Sequence, residues 1–246
     1  VVIPARNEAR NLPFVLAHLP KDIFEVILVD GHSTDDTVAV AQRLHPGVRV
    51  IQETRKGKGN ALACGFAAAR GDIIVMLDAD GSADAAEIPR FVAALLSGAD
   101  FAKGSRFIGD GGSSDITRFR RLGNWFFTTL VNMLYGTRYS DLCYGYNAFW
   151  VHCLPKVNID CDGFEVETLI NIRVAKANLR VREVPSYEGV RLHGVSNLNA
   201  FRAGRRVLKT IMRERLVHTM TPAMLPIPAE LESEPSAAVR LMGAGQ

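Results

Sequence analysis

The chain has 246 residues, 48% of them apolar, and a formal net charge of +3. That length fits one large α/β domain or two small ones, and that apolar share suffices for a real core. So mild a charge gives no ground for nucleic acid as a partner. The four cysteines (Cys64, Cys143, Cys153 and Cys161) form no C-x-x-C pair and no zinc spacing, so reduced thiols in a cytoplasmic protein are expected. The chain opens on the apolar run Val1-Val2-Ile3-Pro4 with no Met, basic leader or signal-peptide pattern, and a few residues are expected to precede it. No apolar run approaches the ~18 residues that span a bilayer.

In chain order, Val1–Ile3 reads as a strand and Glu8–Leu19 as a helix. Val26–Val29 is a strand ending in Asp30-Gly31, and Thr34–Leu44 a helix opened by the capping cluster Ser33-Thr34-Asp35-Asp36. Val48–Ile51 is a strand, Lys58–Ala69 a small-residue helix, and Asp72–Leu77 a buried strand. Ala85–Leu96 reads as a helix and Asp100–Lys103 as a short strand. This alternation predicts an α/β domain with a mainly parallel central sheet, right-handed crossovers and flanking helices. Gly109–Ser114 is expected to be a mobile loop, and Arg118–Tyr135 a helix apolar over most of its circumference. Asn147–Val151 and Val181–Val184 read as strands, Phe164–Ala177 as a helix, and Leu198–Arg215 as a basic helix. With no repeat and no linker before residue 216, one domain over 1–216 is expected, then a loosely ordered tail over 217–246.

Three of these strands end in polar clusters: Pro4-Ala5-Arg6-Asn7-Glu8, Asp30-Gly31-His32-Ser33-Thr34-Asp35, and Asp78-Ala79-Asp80. In a parallel sheet such ends converge on one crevice, so three separate motifs become one pocket. Paired carboxylates at a strand tip are hard oxygen ligands of the kind that hold Mg²⁺ or Mn²⁺ on a diphosphate. Arg55-Lys56-Gly57-Lys58-Gly59-Asn60 fails both the P-loop and the dinucleotide-fold patterns, although its glycines would admit a ligand closely and Lys58 could counter an anion.

The series V-V-I-P-A-R-N-E, V-D-G-H-S-T-D-D-T, G-K-G-N-A-L, D-A-D-G and G-S-R-F resembles the inverting family-2 glycosyltransferases of GT-A fold. It is most similar to their dolichol-phosphate mannose synthase and polyprenyl-phosphate glucosyltransferase branch, from Val1 to about Arg215. The resemblance implies that Pro4, Asn7, Glu8 and Asp30 surround the nucleotide and that Lys58 flanks it. It implies that Asp78, Ala79 and Asp80 hold ribose, diphosphate and cation, and that Arg106 meets the donor diphosphate or an acceptor phosphate. The mannose synthase pattern has a metal-binding Gln where this chain has Ser82, a poorer ligand. Asp141 matches an aspartate of the family that has been read as a base near the acceptor. A hydroxyl acceptor would need that base, whereas an ionised phosphate would not. His193 and Ser196 lie in a segment resembling a loop that closes over the donor phosphates.

Arg118 and Arg121 lead into the aromatic helix, where Leu122, Trp125, Phe126, Leu130, Met133 and Leu134 make one stripe. A basic entry to a broadly apolar helix fits an interfacial helix, or one packed between the sheet and the last helix. Arg202, Arg206, Lys209 and Arg213 share a face of that last helix, which fits a solvated surface or an anionic membrane. The expected activity is transfer of a hexose from a nucleotide-sugar, UDP-glucose or GDP-mannose in type, to a polyprenyl phosphate. Arg106, Arg118 and Arg121 would hold that phosphate. The expected location is the inner face of the membrane, peripheral and cytoplasmic. Three alternatives stay open: a soluble hydroxyl acceptor with Asp141 as base, a non-catalytic nucleotide-sugar binding module, and a homodimer joined through the apolar helix.

Overall fold

The computed structural model describes residues 1–194 and 199–217. The expected tail falls almost wholly outside the described residues, as does Ser196. Seven strands form the central sheet: β1 (Val2–Ala5), β2 (Ile27–Asp30), β3 (Arg49–Gln52), β4 (Ile73–Met76), β5 (Phe101–Ser105), β7 (Asn147–Trp150) and β8 (Val181–Pro185). Their order is β3-β2-β1-β4-β7-β5-β8. Only β7 runs against its neighbours, antiparallel to both β4 and β5.

The strands read as near-continuous apolar runs because both sheet faces are covered. Successive side chains point to opposite faces. Ile3, Leu28 and Val75 therefore join one core with α1 (Leu12–Ala17), α2 (Thr37–Leu44) and α4 (Ile88–Leu96). Val2, Ile27, Val29, Ile74 and Met76 join the other with α3 (Lys58–Ala68) and α7 (Val166–Lys176). A short helix, α6 (Leu154–Val157), links β7 to α7. A third, smaller cluster joins α5 (Arg118–Tyr135) and α8 (Ala200–Leu216) to α7 through Val131, Ile172, Val207 and Ile211.

Several expectations are revised. The first helix is one and a half turns rather than three, with Pro13 in its first turn and Glu8–Asn11 forming a separate turn. The second starts at Thr37, because Ser33, Thr34 and Asp35 are spent on contacts to Asn7, Ala9 and Asp30. The expected helix from Ala85 opens as a 3₁₀ turn before Pro89. The loop expected to be mobile contributes β6 (Gly112–Ser113), which pairs with β9 (Tyr187–Glu188) in a two-stranded sheet.

The α5 helix has the expected bounds, and of its apolar stripe Leu130 and Leu134 pack against the third cluster while the rest does not. Its fully buried side chains are Asn124, Thr128 and Val131. Leu122, Trp125 and Met133 are 62%, 63% and 76% exposed. The basic face of α8 is also divided. Arg206 turns to Glu165 and Arg213 to Asp160, while Arg202, Arg205 and Lys209 stay exposed.

Candidate active site

The in-register row Ala5, Asp30 and Gln52 ends the three strands β1, β2 and β3 together. Beyond it, the Asp30 carboxylate accepts bonds from the Ser33 N–H at 3.2 Å and the Gln52 amide at 2.9 Å. Asn7 sits in the left-handed region at φ 57°, which turns its side chain back so that Oδ1 accepts the Thr34 N–H at 2.8 Å. The first two sequence clusters are thus wired to each other. Pro4 stays within β1, paired with Val29, half-buried behind this row.

The third cluster joins through Arg191. Its guanidinium bonds Glu8 and reaches Asp80 at 3.3 Å, and its Nε donates to the His193 carbonyl at 2.8 Å. The other oxygen of Glu8 accepts from Asn11, which also donates to the His193 carbonyl. His193 therefore engages through its backbone, and its side chain is exposed. Ser82 is not idle: its N–H and hydroxyl both donate to Asp80 Oδ1, at 3.0 and 2.7 Å. Ala79, expected beside the nucleotide, points its methyl into the core instead.

Lys58 lies between two carboxylates, 2.7 Å from Asp78 and 2.7 Å from Glu167. Burial would depress its pKa, but Asp78 and Glu167 outweigh burial and hold it above the ordinary lysine value. Glu167 shifts the other way: burial pushes its carboxyl up, because one ammonium serves two acids. Gly145 closes this group, since a Cβ there would lie 3.0 Å from the Lys58 ammonium. The glycines of the 57–59 loop serve a different purpose from the one expected. Cβ atoms at Gly57 and Gly59 would stand 2.1 and 2.3 Å from the carbonyls of Asp162 and Cys161, so the loop packs on protein backbone.

The second half of the pocket is a buried ion cluster. Arg106 forks onto Asp141 with Nε at 2.7 Å and Nη2 at 3.0 Å, and Nη1 reaches Glu188 at 3.0 Å. The Asp141 side chain is 0% exposed and that of Arg106 3%. Burial alone would raise the Asp141 carboxyl, yet the Arg106 bonds hold it below the usual carboxylate range. Arg106 stands 4.9 Å over the Tyr144 ring and 5.6 Å from that of Phe107. Arg121 lies 5.3 Å from the same Phe107 ring, so it reaches this region. Arg118, at the start of α5, is exposed and makes no described ion pair with the cluster; Arg120 beside it pairs with Asp115.

Asn124 is a polar side chain that α5 turns inward. Its Oδ1 accepts the N–H groups of both Leu142 and Cys143, at 3.2 and 3.0 Å, fixing the segment after Asp141. Outside this contact α5 and α8 diverge into an apolar groove of about 360 Å³, lined by Phe119, Phe126, Phe127, Phe164, Phe201 and Leu208 among others. Arg106 and Cys143 also line it, so the groove reaches the ion cluster.

Glu167, Glu188 and Arg191 were not singled out from the sequence. Arg191 lies two residues before His193, which was. Glu165-x-Glu167 near a helix start was the available signal for Glu167. Glu188, in a two-residue strand, had none.

The glycosyl transferase family 2 model matches residues 1–153. An uncharacterised glycosyltransferase of Mycobacterium tuberculosis is 45% identical over 106 residues, 43% of this chain and 47% of its own, so that match spans about half the relative's length. The polyprenol monophosphomannose synthase of Mycolicibacterium smegmatis is 32% identical over 213 residues, covering 81% of this chain and 80% of its own. The crystal structure of glucosyl-3-phosphoglycerate synthase from M. tuberculosis superposes with a TM-score of 0.68 at 25% identity, over 88% of this chain and 80% of that one. With the parallel sheet, the converged strand ends and the D-x-D carboxylates in place, this chain belongs to glycosyl transferase family 2 and has the GT-A fold.

Proposed function

We propose that this enzyme moves a hexose from a nucleoside-diphosphate sugar to the phosphate of a polyprenyl phosphate. The observation that carries this reading is the apolar groove between α5 and α8, which ends at Arg106. A soluble polar acceptor has no use for a groove of that lining; an isoprenoid chain does. Its phosphate would meet the Arg106 and Arg121 guanidinium groups, with Arg118 farther out along the same entry.

The state of Asp141 supports the same reading. A carboxylate locked by two bonds to a buried arginine and held ionised below its usual range is a poor proton acceptor. An ionised phosphate needs no base. It attacks the anomeric carbon, the bond from that carbon to the diphosphate oxygen breaks, and configuration inverts. Positioning and charge neutralisation then carry the rate. Asp141 would orient Arg106 rather than take a proton.

On the donor side, Asn7, Glu8 and Asp30 would take the nucleotide, and Lys58 and Asp78 the sugar-diphosphate region. Among the described residues no group of three or more metal-binding side chains stands ready. Asp78 and Asp80 alone still fit Mg²⁺ or Mn²⁺, because such ions bind through one or two carboxylates plus substrate phosphates. A cation held there would neutralise the departing diphosphate. The oxygens of Asp80 are engaged by Ser82 and Arg191, so Arg191 would have to yield or turn to the diphosphate when a cation arrives.

No helix among the described residues is long and apolar enough to cross a membrane. The exposed Phe119, Leu122, Trp125, Met133 and Phe201, flanked by Arg202, Arg205 and Lys209, suit a peripheral contact with a lipid surface, the source of such an acceptor.

The test is product formation with a panel of radiolabelled nucleotide-sugars, detergent-dispersed polyprenyl phosphate, and Mg²⁺ or Mn²⁺. Metal-dependent label in the organic phase, lost in Asp80→Ala, supports the proposal. Nucleotide release without lipid labelling overturns the acceptor assignment.

A further inference from the structure

One side chain beside the donor site has no role in the account so far. Gln52 ends β3 level with Asp30 on β2, which is in turn level with Ala5 on β1. Its Nε2 lies 2.9 Å from Asp30 Oδ2. An ionised carboxylate only accepts, so the amide nitrogen and not the amide oxygen must face it. The Ser33 N–H is shared between the two oxygens of Asp30, at 3.2 and 3.3 Å. Asp30 is buried at 3% exposure, whereas Gln52 is exposed.

These contacts set what the pair offers to a nucleobase. A carboxylate has about four places for donors, two on each oxygen. Gln52 and Ser33 fill both on Oδ2, and Ser33 takes one on Oδ1. Among the described residues no other group donates to this carboxylate, so one place is left, on Oδ1. Gln52 commits one amide hydrogen to Asp30 and keeps the second. The pair therefore presents one acceptor beside one donor. Uracil has the complementary edge, an N3–H donor next to the O4 acceptor. Cytosine presents a bare N3 acceptor, which the carboxylate repels. Guanine presents two adjacent donors, N1–H and the 2-amino group, and needs both carboxylate oxygens. With Oδ2 taken by Gln52, one of those donors stays without an acceptor.

We propose that Gln52 is a specificity-determining residue: by occupying Asp30 Oδ2 it makes the donor site select a uridine over a guanosine diphosphate. The inference rests on the reading above that places the nucleotide at Asp30, and it is independent of the acceptor.

Calorimetric titration of UDP, GDP and CDP, each with Mn²⁺, onto wild type and Gln52→Leu tests it. The wild type is expected to bind UDP at least about tenfold more tightly than GDP or CDP, the effect of one missing hydrogen bond in a buried site. Gln52→Leu removes the donor that uracil uses and frees Oδ2 for guanine. UDP should weaken, GDP should strengthen, and the preference for UDP over GDP should fall by about tenfold or more. A residue with only a structural part would weaken both nucleotides equally. GDP binding as tightly as UDP to the wild type, or a preference unchanged in Gln52→Leu, overturns the proposal. Gln52 stands on the edge strand of the sheet. If the variant nevertheless does not fold, the wild-type preference decides alone. Failure of the wild type to bind any of the three is a failure of the donor-site reading and removes this inference with it. Prenyl phosphate takes no part in the titration, so the acceptor reading stands or falls separately.

Discussion

Asp141→Asn separates two roles that the same residue could fill. In the structure its carboxylate is the main counter-charge of a guanidinium whose side chain is only 3% exposed. Removing one partner of such a buried pair costs about 3–5 kcal/mol, because the other charge stays in the interior. Asparagine keeps one acceptor oxygen, and Glu188 still binds Nη1, so the lower part of that range is expected. For a chain of this size each kcal/mol moves Tm by roughly 2–4 °C, so a fall of about 6–12 °C follows. The pH dependence has a definite sign. The folded carboxyl lies below its unfolded value of about 3.9, so its stabilisation is complete above that pH and is lost as pH falls through the folded pKa. The gap in Tm between wild type and variant should therefore be constant from neutrality to about pH 5 and narrow in more acid solution. Calorimetry across pH, with turnover measured well below Tm, provides both readings. An unchanged Tm with a rate loss of about 10²–10⁴ would refute this account and restore Asp141 as a general base.

Four further outcomes follow from the geometry. Gly204→Trp fills the groove on the α8 side, so turnover with polyprenyl phosphate should drop by at least about tenfold while nucleotide-sugar binding, read by calorimetry, stays intact. Asp80→Ala should abolish Mn²⁺ binding in the presence of a nucleoside diphosphate, followed by electron paramagnetic resonance, with little change in Tm because this carboxylate is part-exposed. Lys58→Met leaves Glu167 buried with Asp78 as its neighbour. With its folded pKa raised above the unfolded value, Glu167 contributes full stability only at low pH and loses it as pH rises, so the variant should be closest to wild type near pH 5 and weakest near pH 8, by about 3 kcal/mol. Trp125→Ser with Leu122→Ser should release the enzyme from anionic vesicles in a flotation assay, and salt should do the same to the wild type. Each exposed arginine or lysine near the surface contributes about 1 kcal/mol at low ionic strength.

How far local pattern reaches is clearest in the sheet. The apolar runs that became β1, β2 and β4, and the acidic residues that end two of them, were legible because burial on both faces and the strand period are written residue by residue. That parallel strand ends converge is a property of the topology, so the grouping of Asn7, Asp30 and Asp80 could be expected from the alternation alone. The bounds of α5 came from the same local information, with Thr117 as its cap and Gly136 in the left-handed conformation at its end.

What the sequence could not decide is which partner each side chain finds across long separations. Arg106 and Glu188 are 82 residues apart, and no local period relates them. Lys58 and Glu167 come together only because α3 and α7 cover the same sheet face. The orientation of α5 was also a tertiary decision. Burying its aromatic stripe would have been the ordinary choice, but the N–H groups of Leu142 and Cys143 needed an acceptor, and the Asn124 amide turned inward to supply it. Trp125 and Leu122 were left outside, beside the groove that leads to Arg106. By itself the sequence determined the strand ends and their carboxylates, because periodicity and burial are local. The ion cluster and the outward aromatic face were decided in three dimensions, because satisfying buried polar groups is a non-local constraint.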